Sequence, residues 1–584
     1  MSVFFSEMEE MVVEINKKDI IQLLEEIALY LEIKGENPFR ISAYRKAAQS
    51  LEKDVRSLTE IDDFSKVPGI GKGTNDIIVE FLETGKSEVL EALKEEVPSG
   101  LIPLLQLPGL GGKRIATLYK ELNIVDEASL KKACEDGSIE EVRGFGKKTV
   151  ANIMEALENK QTRPDRLPVS FMLGVADKVK AQLDEMEGID RYSLAGSLRR
   201  LRETVKDIDF IIATTEREKV REQLVTMDGV TDIIANGDKK VSVTFQDKFD
   251  VNIDFRLVDE KEYSTTLHHF TGSMEHNIRM RQLAKERGEK INEYGVEVEE
   301  TGELLQFASE EEFFQHFSLH YIAPELREDA GEVEAFQKDI RLLEADDIRG
   351  DLHMHTTWSD GAESVEEMVE FAHGLGYEYI TITDHSKYLR VANGLNERRL
   401  REQWEEIDRV QEKYPDIKIF KGVEMDILPD GTLDFDDDFL QELDLVIAAI
   451  HSSFDQTEEE IMHRLTTALE NPYVDIIAHP TGRLIGRRDG YRVNIPTLIE
   501  KAKETNTALE LNANPMRFDL NTEDLKLAKE NGVPIAINTD AHRTGTFHHM
   551  DYGVKMGRKA WLEKDDVMNT WDIDKLTAFI NRNK

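Results

Sequence analysis

Seven short apolar stretches in the C-terminal part of the chain each stop at a histidine, a carboxylate or an asparagine. They read GDLHMH, YITITDH, IFKGVE, LVIAAIH, VDIIAHP, ALELN and IAINTDAH, and helical patterns separate them. Apolar runs of this length alternating with helices predict parallel strands buried on both faces, as in a β/α barrel. Such barrels carry their active sites on the rim formed by the strands' C-terminal ends. The residues placed there are His353, His355, Asp360, His385, Glu424, His451, His479, Glu510, Asp540 and His542. That set of nitrogen and oxygen donors predicts a site for several metal ions and a hydrolytic chemistry.

The chain has 584 residues, 40% hydrophobic and 33% charged, with a net charge of −42. This length exceeds one core, and several domains are expected. No apolar run approaches the length of a membrane span. The N-terminus MSVFFSEMEEM is acidic where a secretory signal is basic. The single Cys134 excludes an intramolecular disulfide and a thiolate zinc site. A cytoplasmic protein is expected. Such acidity argues against general nucleic-acid affinity, which needs Lys and Arg. It does not exclude local phosphate contacts, for which Lys147-Lys148, Arg199-Arg200 and Arg279-Arg281 are candidates.

Three segments share a glycine pattern: VPGIGKGTNDII at 67–78, LPGLGGKRIATLY at 107–119 and VRGFGKKTVANIM at 142–154. Glycine permits positive φ and close backbone approach. The helix that follows presents free N–H groups to an anion. Gly69, Gly71 and Lys72, then Gly109, Gly111 and Lys113, then Gly144 and Gly146 are the candidate phosphate contacts. One copy is as consistent with a plain turn. Three copies resemble helix–hairpin–helix DNA-binding units.

Residues 194–210 read LAGSLRRLRETVKDIDF. On a strand Asp207 and Asp209 share a face while Ile208 and Phe210 point into a core. FDVNIDFRL at 249–257 has the same alternation, which puts Asp254 on the polar face. Three carboxylates suit two Mg²⁺ ions bridging substrate phosphates. Gly196, Ser197 and Arg200 precede them as donors for a triphosphate.

This order of motifs resembles the nucleotidyltransferase palm of family X DNA polymerases. ENPFRISAYRKAA at 36–48 is similar to the start of that family's N-terminal domain. FTGSMEHNIRMR at 270–281, followed by Ile291-Asn292-Glu293-Tyr294, is similar to its nucleotide pocket. The histidine rim resembles the polymerase and histidinol phosphatase (PHP) domain. The whole looks like a bacterial or archaeal family X DNA polymerase with a C-terminal PHP domain.

The resemblance implies a multidomain α+β and α/β chain. Its parts would be an N-terminal helical DNA-binding domain (1–98), a helical subdomain with two further hairpins (99–160), the palm (161–260), a nucleotide-selecting subdomain (261–325), a linker (326–346) and a distorted (β/α)7 PHP barrel (347–584). It implies that Asp207, Asp209 and Asp254 bind two Mg²⁺ and that Asp254 orients the primer 3′-hydroxyl. Ser197 and Arg200 would hold the β- and γ-phosphates, and Phe270 and Gly272 would line the sugar. Asn277 would touch the incoming base, and Arg281 the template. Nine rim ligands are carried over (His353, His355, Asp360, His385, Glu424, His451, His479, Asp540 and His542), for up to three ions of Mn²⁺, Zn²⁺ or Fe. Glu510 matches no ligand of that family, and His373, His463, His548 and His549 are expected at the surface.

The implied function is gap-filling repair synthesis with 3′–5′ exonuclease activity, extended on resemblance alone to abasic-site endonuclease and 3′-phosphatase activity. The implied partners are gapped or primer-template DNA and deoxynucleoside triphosphates, and a monomer is expected. Two departures stand out. His269 replaces a tyrosine before Phe-Thr-Gly, which bears on sugar discrimination. Ile77 replaces the lysine that forms a Schiff base in 5′-deoxyribose phosphate removal, so weak lyase activity or none is expected. Two other readings are a DNA phosphoesterase whose palm only binds DNA, and a non-catalytic repair scaffold.

Overall fold

A computed structural model describes residues 17–53, 61, 63–107, 110–147, 149–150, 153–154, 157 and 166–582. Gly109 and Lys148, two of the sequence candidates for phosphate contact, lie outside the described residues.

The N-terminal part is helical. Helices Lys17–Lys34, Pro38–Lys53, Lys72–Thr84, Glu88–Glu96, Gly112–Leu122 and Glu127–Glu135 share one apolar core, to which Ile20, Leu24, Ile78, Leu93, Ile115, Leu118 and Ile153 contribute. Ile77 is buried in it. Apolar residues at helical spacing on each segment give the inner face, and polar residues face out.

The palm is a five-stranded mixed sheet. Its order is Arg191–Leu194, Ile208–Ala213, Asp250–Val258, Lys240–Gln246 and Val230–Gly237. Strands Ile208–Ala213 and Asp250–Val258 run parallel, with Asp209 directly opposite Asp254 and Phe210 opposite Phe255. The two phenyl rings stack with centroids 5.6 Å apart. Val251, Ile253, Phe255 and Leu257 are buried, as the period-two pattern requires.

Helices Tyr263–Thr271 and Met274–Glu286, a three-stranded antiparallel sheet and helix Glu310–His316 follow. Residues beyond Pro324 form short turns, and Leu326, Val333, Phe336 and Leu342 join the same apolar cluster as Phe313 and Phe314. At its centre the buried Glu310 bridges Arg199 (2.7 Å) and Arg327 (2.6 Å).

The C-terminal part is a seven-stranded parallel sheet whose order equals its sequence order: Gly350–Asp351, Tyr379–Ile382, Lys418–Asp426, Leu445–Ala449, Ile476–Ile477, Ala508–Asn512 and Ile535–Asn538. A parallel bridge between Met354 and Ala541, with the His355 amide donating to the Ala541 carbonyl (2.8 Å), joins the first strand segment to the last. The sheet is thereby nearly closed into a (β/α)7 barrel. The helix after the first strand starts at a capping box, where Ser364 and Glu367 exchange hydrogen bonds.

Gly350 fixes how closely the first two strands approach. A Cβ there would lie 2.0 Å from the Tyr379 carbonyl oxygen, which is backbone and unable to step aside. We expect Gly350→Ala to destabilise the barrel by about 1–3 kcal/mol through overpacking. A lowered thermal midpoint of unfolding, together with loss of any barrel activity on mild heating, checks this.

Candidate active sites

In the palm, strand pairing brings two acidic side chains together. Asp209 lies across from Asp254, and Asp207 immediately precedes the first of these strands. Burial, then Asp207 and Asp254, push the Asp209 carboxyl up to about 7. Like charges this close repel unless cations sit between them. Ser242 Oγ donates to Asp254 (2.6 Å) and Lys240 Nζ lies 2.7 Å from its other oxygen. Neither residue belonged to a recognisable motif, but both sit on the adjacent antiparallel strand, Ser242 directly opposite Asp254.

Gly196 opens the short helix Gly196–Arg199 at φ +64, and a Cβ there would meet Asp209 at 2.3 Å. Only glycine lets this turn lie against the carboxylates. Ser197 lies within this helix and Arg200 is its C-cap. Arg200 donates to Glu328 (3.1 Å) and to the Thr271 carbonyl. Its neighbour Arg199, a sequence candidate for phosphate contact, is instead consumed by Glu310 and by Thr271 Oγ1 (2.7 Å). Arg279 is likewise paired with Glu334.

Gly272 adopts φ +71 beside the Arg200 guanidinium. Asn277 donates to the His269 carbonyl (2.8 Å), and Arg256 lies over the Phe270 ring at 4.3 Å. Burial, then Arg281, lower the imidazole pKa of His269. Arg281 is exposed on helix Met274–Glu286.

The described residues of the three glycine segments share one turn. In each, the residue between the glycines donates back to the apolar residue that opens the motif: Ile70 to Val67, Leu110 to Leu107 and Phe145 to Val142, all at 3.1 Å. Gly71, Gly111 and Gly146 then accept the first helical hydrogen bonds. Gly71 and Gly111 cap their helices without any side-chain bond, and no atom would obstruct a Cβ at either one. Gly69 and Gly144 sit at φ +100 and +99. Lys72 and Lys113 are exposed.

The barrel rim gathers all nine carried-over residues. Glu424 lies at its centre, 3.5 Å from His353 and from His355, 2.8 Å from His385, 3.1 Å from His451 and 2.9 Å from His479. Asp540 lies 3.2 Å from His355, and Asp360 lies 3.2 Å from His542 and 3.6 Å from His385. Three overlapping groups have donor atoms close enough to share an ion: His355, Asp360, His385 and His542; His353, His355 and Asp540; His385, Glu424 and His451.

The donor set fits cations. His385 Nδ1 and Glu424 Oε2 approach to 2.8 Å, yet neither atom makes a hydrogen bond. Their lone pairs are oriented toward shared space, as ligands of one ion are. Burial raises the Glu424 pKa, but His451, His385 and His353 outweigh it and hold the carboxyl well below the usual range. Burial, then His542 and His385, push His355 down to about 3, a neutral ligand. His479 (φ +28) and Asp540 (φ +53) occupy backbone conformations costly for such residues, a form of strain concentrated at functional sites.

Behind the ligands stands a second tier. Glu510 accepts from His353 Nδ1 (2.7 Å), the His479 amide (2.7 Å) and Asn538 (3.0 Å). It orients two ligands without being one. Asp426 lies 3.3 Å from His451 Nδ1, and the fully buried Asp384 ties Thr356, Ser359 and Gln403 beneath the rim. Sequence reading missed both, although each ends or follows a recognised strand. His549, expected at the surface, is half-buried, and burial pushes its pKa down to about 4.

Comparisons with known proteins match this layout. Residues 15–87 match the helix-hairpin-helix domain, 101–159 the SAM-like helix-hairpin-helix tandem, 266–328 the DNA polymerase beta thumb and 351–514 the PHP domain. The DNA polymerase/3′-5′ exonuclease PolX of Bacillus subtilis is 56% identical over 97% of this chain and 100% of its own length. Probable phosphatases of Thermoanaerobacter sp. and Acetivibrio thermocellus are each 30% identical over 40% of this chain and 95% of theirs. The chain belongs to the bacterial and archaeal family X DNA polymerases that carry a C-terminal PHP domain.

Proposed function

We propose that this protein is a DNA-directed DNA polymerase that fills gaps and, through its barrel, a metal-dependent 3′–5′ exonuclease. The pairing of Asp209 with Asp254 beside the Gly196 turn carries the first half of the reading. Two Mg²⁺ ions held by Asp207, Asp209 and Asp254 would neutralise the triphosphate and the leaving pyrophosphate. Ser197 and Arg200 hold the β- and γ-phosphates. Asp254, fixed by Ser242 and Lys240, orients the primer 3′-hydroxyl. Phe270 and Gly272 line the sugar, Asn277 meets the incoming base and Arg281 the template strand. The glycine hairpins grip the DNA backbone through their helix N-termini.

On the rim, up to three ions of Mn²⁺, Zn²⁺ or Fe would activate water and stabilise the leaving oxygen. His353, His355, Asp360, His385, Glu424, His451, His479, Asp540 and His542 hold them, and Glu510 keeps His353 in the tautomer that presents Nε2 inward. The substrate is a DNA 3′ end delivered in the same protein. A 3′-phosphatase activity is a second reading, favoured by the likeness of the barrel alone to probable phosphatases. Release of phosphate from a 3′-phosphorylated oligonucleotide tests it. The reading also takes the protein as a cytoplasmic monomer; among the described residues no helix is long and apolar enough to cross a membrane.

Separate substitutions separate the activities. Asp254→Ala is expected to lower primer extension by at least about 10³-fold and to spare degradation, and His353→Ala to do the reverse. If either abolishes both, the two-site reading fails. Glu510→Gln is expected to cost about 10–100-fold in degradation or metal affinity and to leave extension intact.

Asp209 gives a pH test. Its folded carboxyl is raised to about 7, so ionising it costs stability increasingly as pH rises from the ordinary carboxylate range through 7. In chelator, Asp209→Asn is therefore expected to raise the thermal midpoint by a few degrees at pH 8 and by less at pH 5. Equal shifts at both pH values would falsify the assignment.

A further inference from the structure

The polymerase turn is held from outside the polymerase half. Lys559, the last residue of helix His549–Lys559 in the barrel, points its ammonium at the palm. Nζ donates to the Arg200 carbonyl (3.0 Å) and lies 3.4 Å from the Leu201 carbonyl. Its side chain is only 13% exposed, and Glu328 is the nearest carboxylate, at 3.9 Å. The same Glu328 accepts from Arg200 Nε and lies 3.6 Å from Arg202.

The turn so gripped is strained. Leu201 is buried and adopts φ +49. That conformation is unfavourable for a leucine and persists only where surroundings over-determine it. Within the turn, the Leu201 amide bonds to Leu198 and the Arg202 amide to Ser197. Those bonds close the loop but leave the carbonyls of Arg200 and Leu201 pointing out of the palm. Lys559 satisfies them with a charge-assisted bond. Burial pushes its ammonium down to about 8 against the pull of Glu328, with Arg202 and Arg200 also lowering it and Glu203 raising it.

We propose that Lys559 is a positioning residue of the polymerase site: by clamping the Arg200 and Leu201 carbonyls it keeps Ser197 and Arg200 aimed at the triphosphate. The proposal rests on the reading of that turn as the triphosphate site. It makes the barrel domain a structural part of nucleotide binding, separate from its metal rim.

The adjacent Arg558 supplies the control. It ties the same helix to Glu325 (2.5 Å), Glu344 (2.7 Å) and the Leu343 carbonyl, all outside the palm and none in the turn. If Lys559 only glued the domains, Arg558→Gln and Lys559→Met would act alike.

In the full-length protein, steady-state gap filling is measured against dNTP concentration, with degradation of single-stranded DNA as the readout of an intact barrel. Lys559→Met is expected to raise KM for dNTP about tenfold with kcat changed less, and to leave degradation unchanged. Lys559→Arg is expected to restore most of the loss, and Arg558→Gln to leave KM within about twofold. The proposal is overturned if Lys559→Met leaves KM unmoved, or if Arg558→Gln raises it equally. If Lys559→Met also loses degradation, Lys559→Gln takes its place under the same criterion. Arg200→Ala distinguishes the premise: an unchanged KM there means that the turn does not bind the triphosphate, which overturns the reading and this proposal with it.

Discussion

A carboxylate buried among five imidazoles organises the C-terminal half. Glu424 is 1% exposed, and its two oxygens lie within 3.5 Å of all five rings. Stripping water from such a group is expensive unless charge is returned to it. The barrel makes the arrangement possible, because parallel strands of short, apolar composition deliver their ends to one rim while their flanks fill the core. Cations are what the resulting cage is shaped to receive. The palm obeys the same rule on a smaller scale, with three carboxylates gathered by two parallel strands and one glycine turn.

Much of this was legible in the sequence because the relevant periods are short. Alternation of two placed Asp209 and Asp254 on one face, and apolar runs ending at histidine located the rim. What escaped was adjacency across strands. Lys240 and Ser242 reach Asp254 only because a neighbouring antiparallel strand sets their register. Glu510 shares its strand pattern with the ligands, yet its role as the acceptor for His353 depends on a separation of 157 residues. Arg199 and Arg200 are adjacent in sequence and diverge in space, one sunk into the Glu310 ion pair and the other facing the Gly272 turn. The spacing from Gly196 and Ser197 singles out Arg200, but nothing local shows that Arg199 would be buried in an ion pair. Lys559 belongs to no motif at all.

The two halves share an apolar core cluster and a ring contact between Phe336 and Trp561, and charged side chains add to these. Arg483, four residues beyond the rim ligand His479, pairs with Glu203 of the palm at 2.8 Å and with the Phe518 carbonyl. Arg558 and Lys559 make further polar crossings. Each of these three residues sets a long basic side chain against a carboxylate or carbonyl, in a chain of net charge −42.

That acidity sets the terms on which the glycine hairpins can work. Gly71 and Gly111, which carry no side-chain cap, precede the exposed Lys72 and Lys113, so peptide N–H groups stand beside lysine at these turns. Amide donors hold phosphate oxygens by direction and dipole. They displace few condensed counterions, so a grip made of them weakens only gradually with added electrolyte. A strongly anionic molecule that must still embrace a polyanion has reason to rely on backbone as well as on charge.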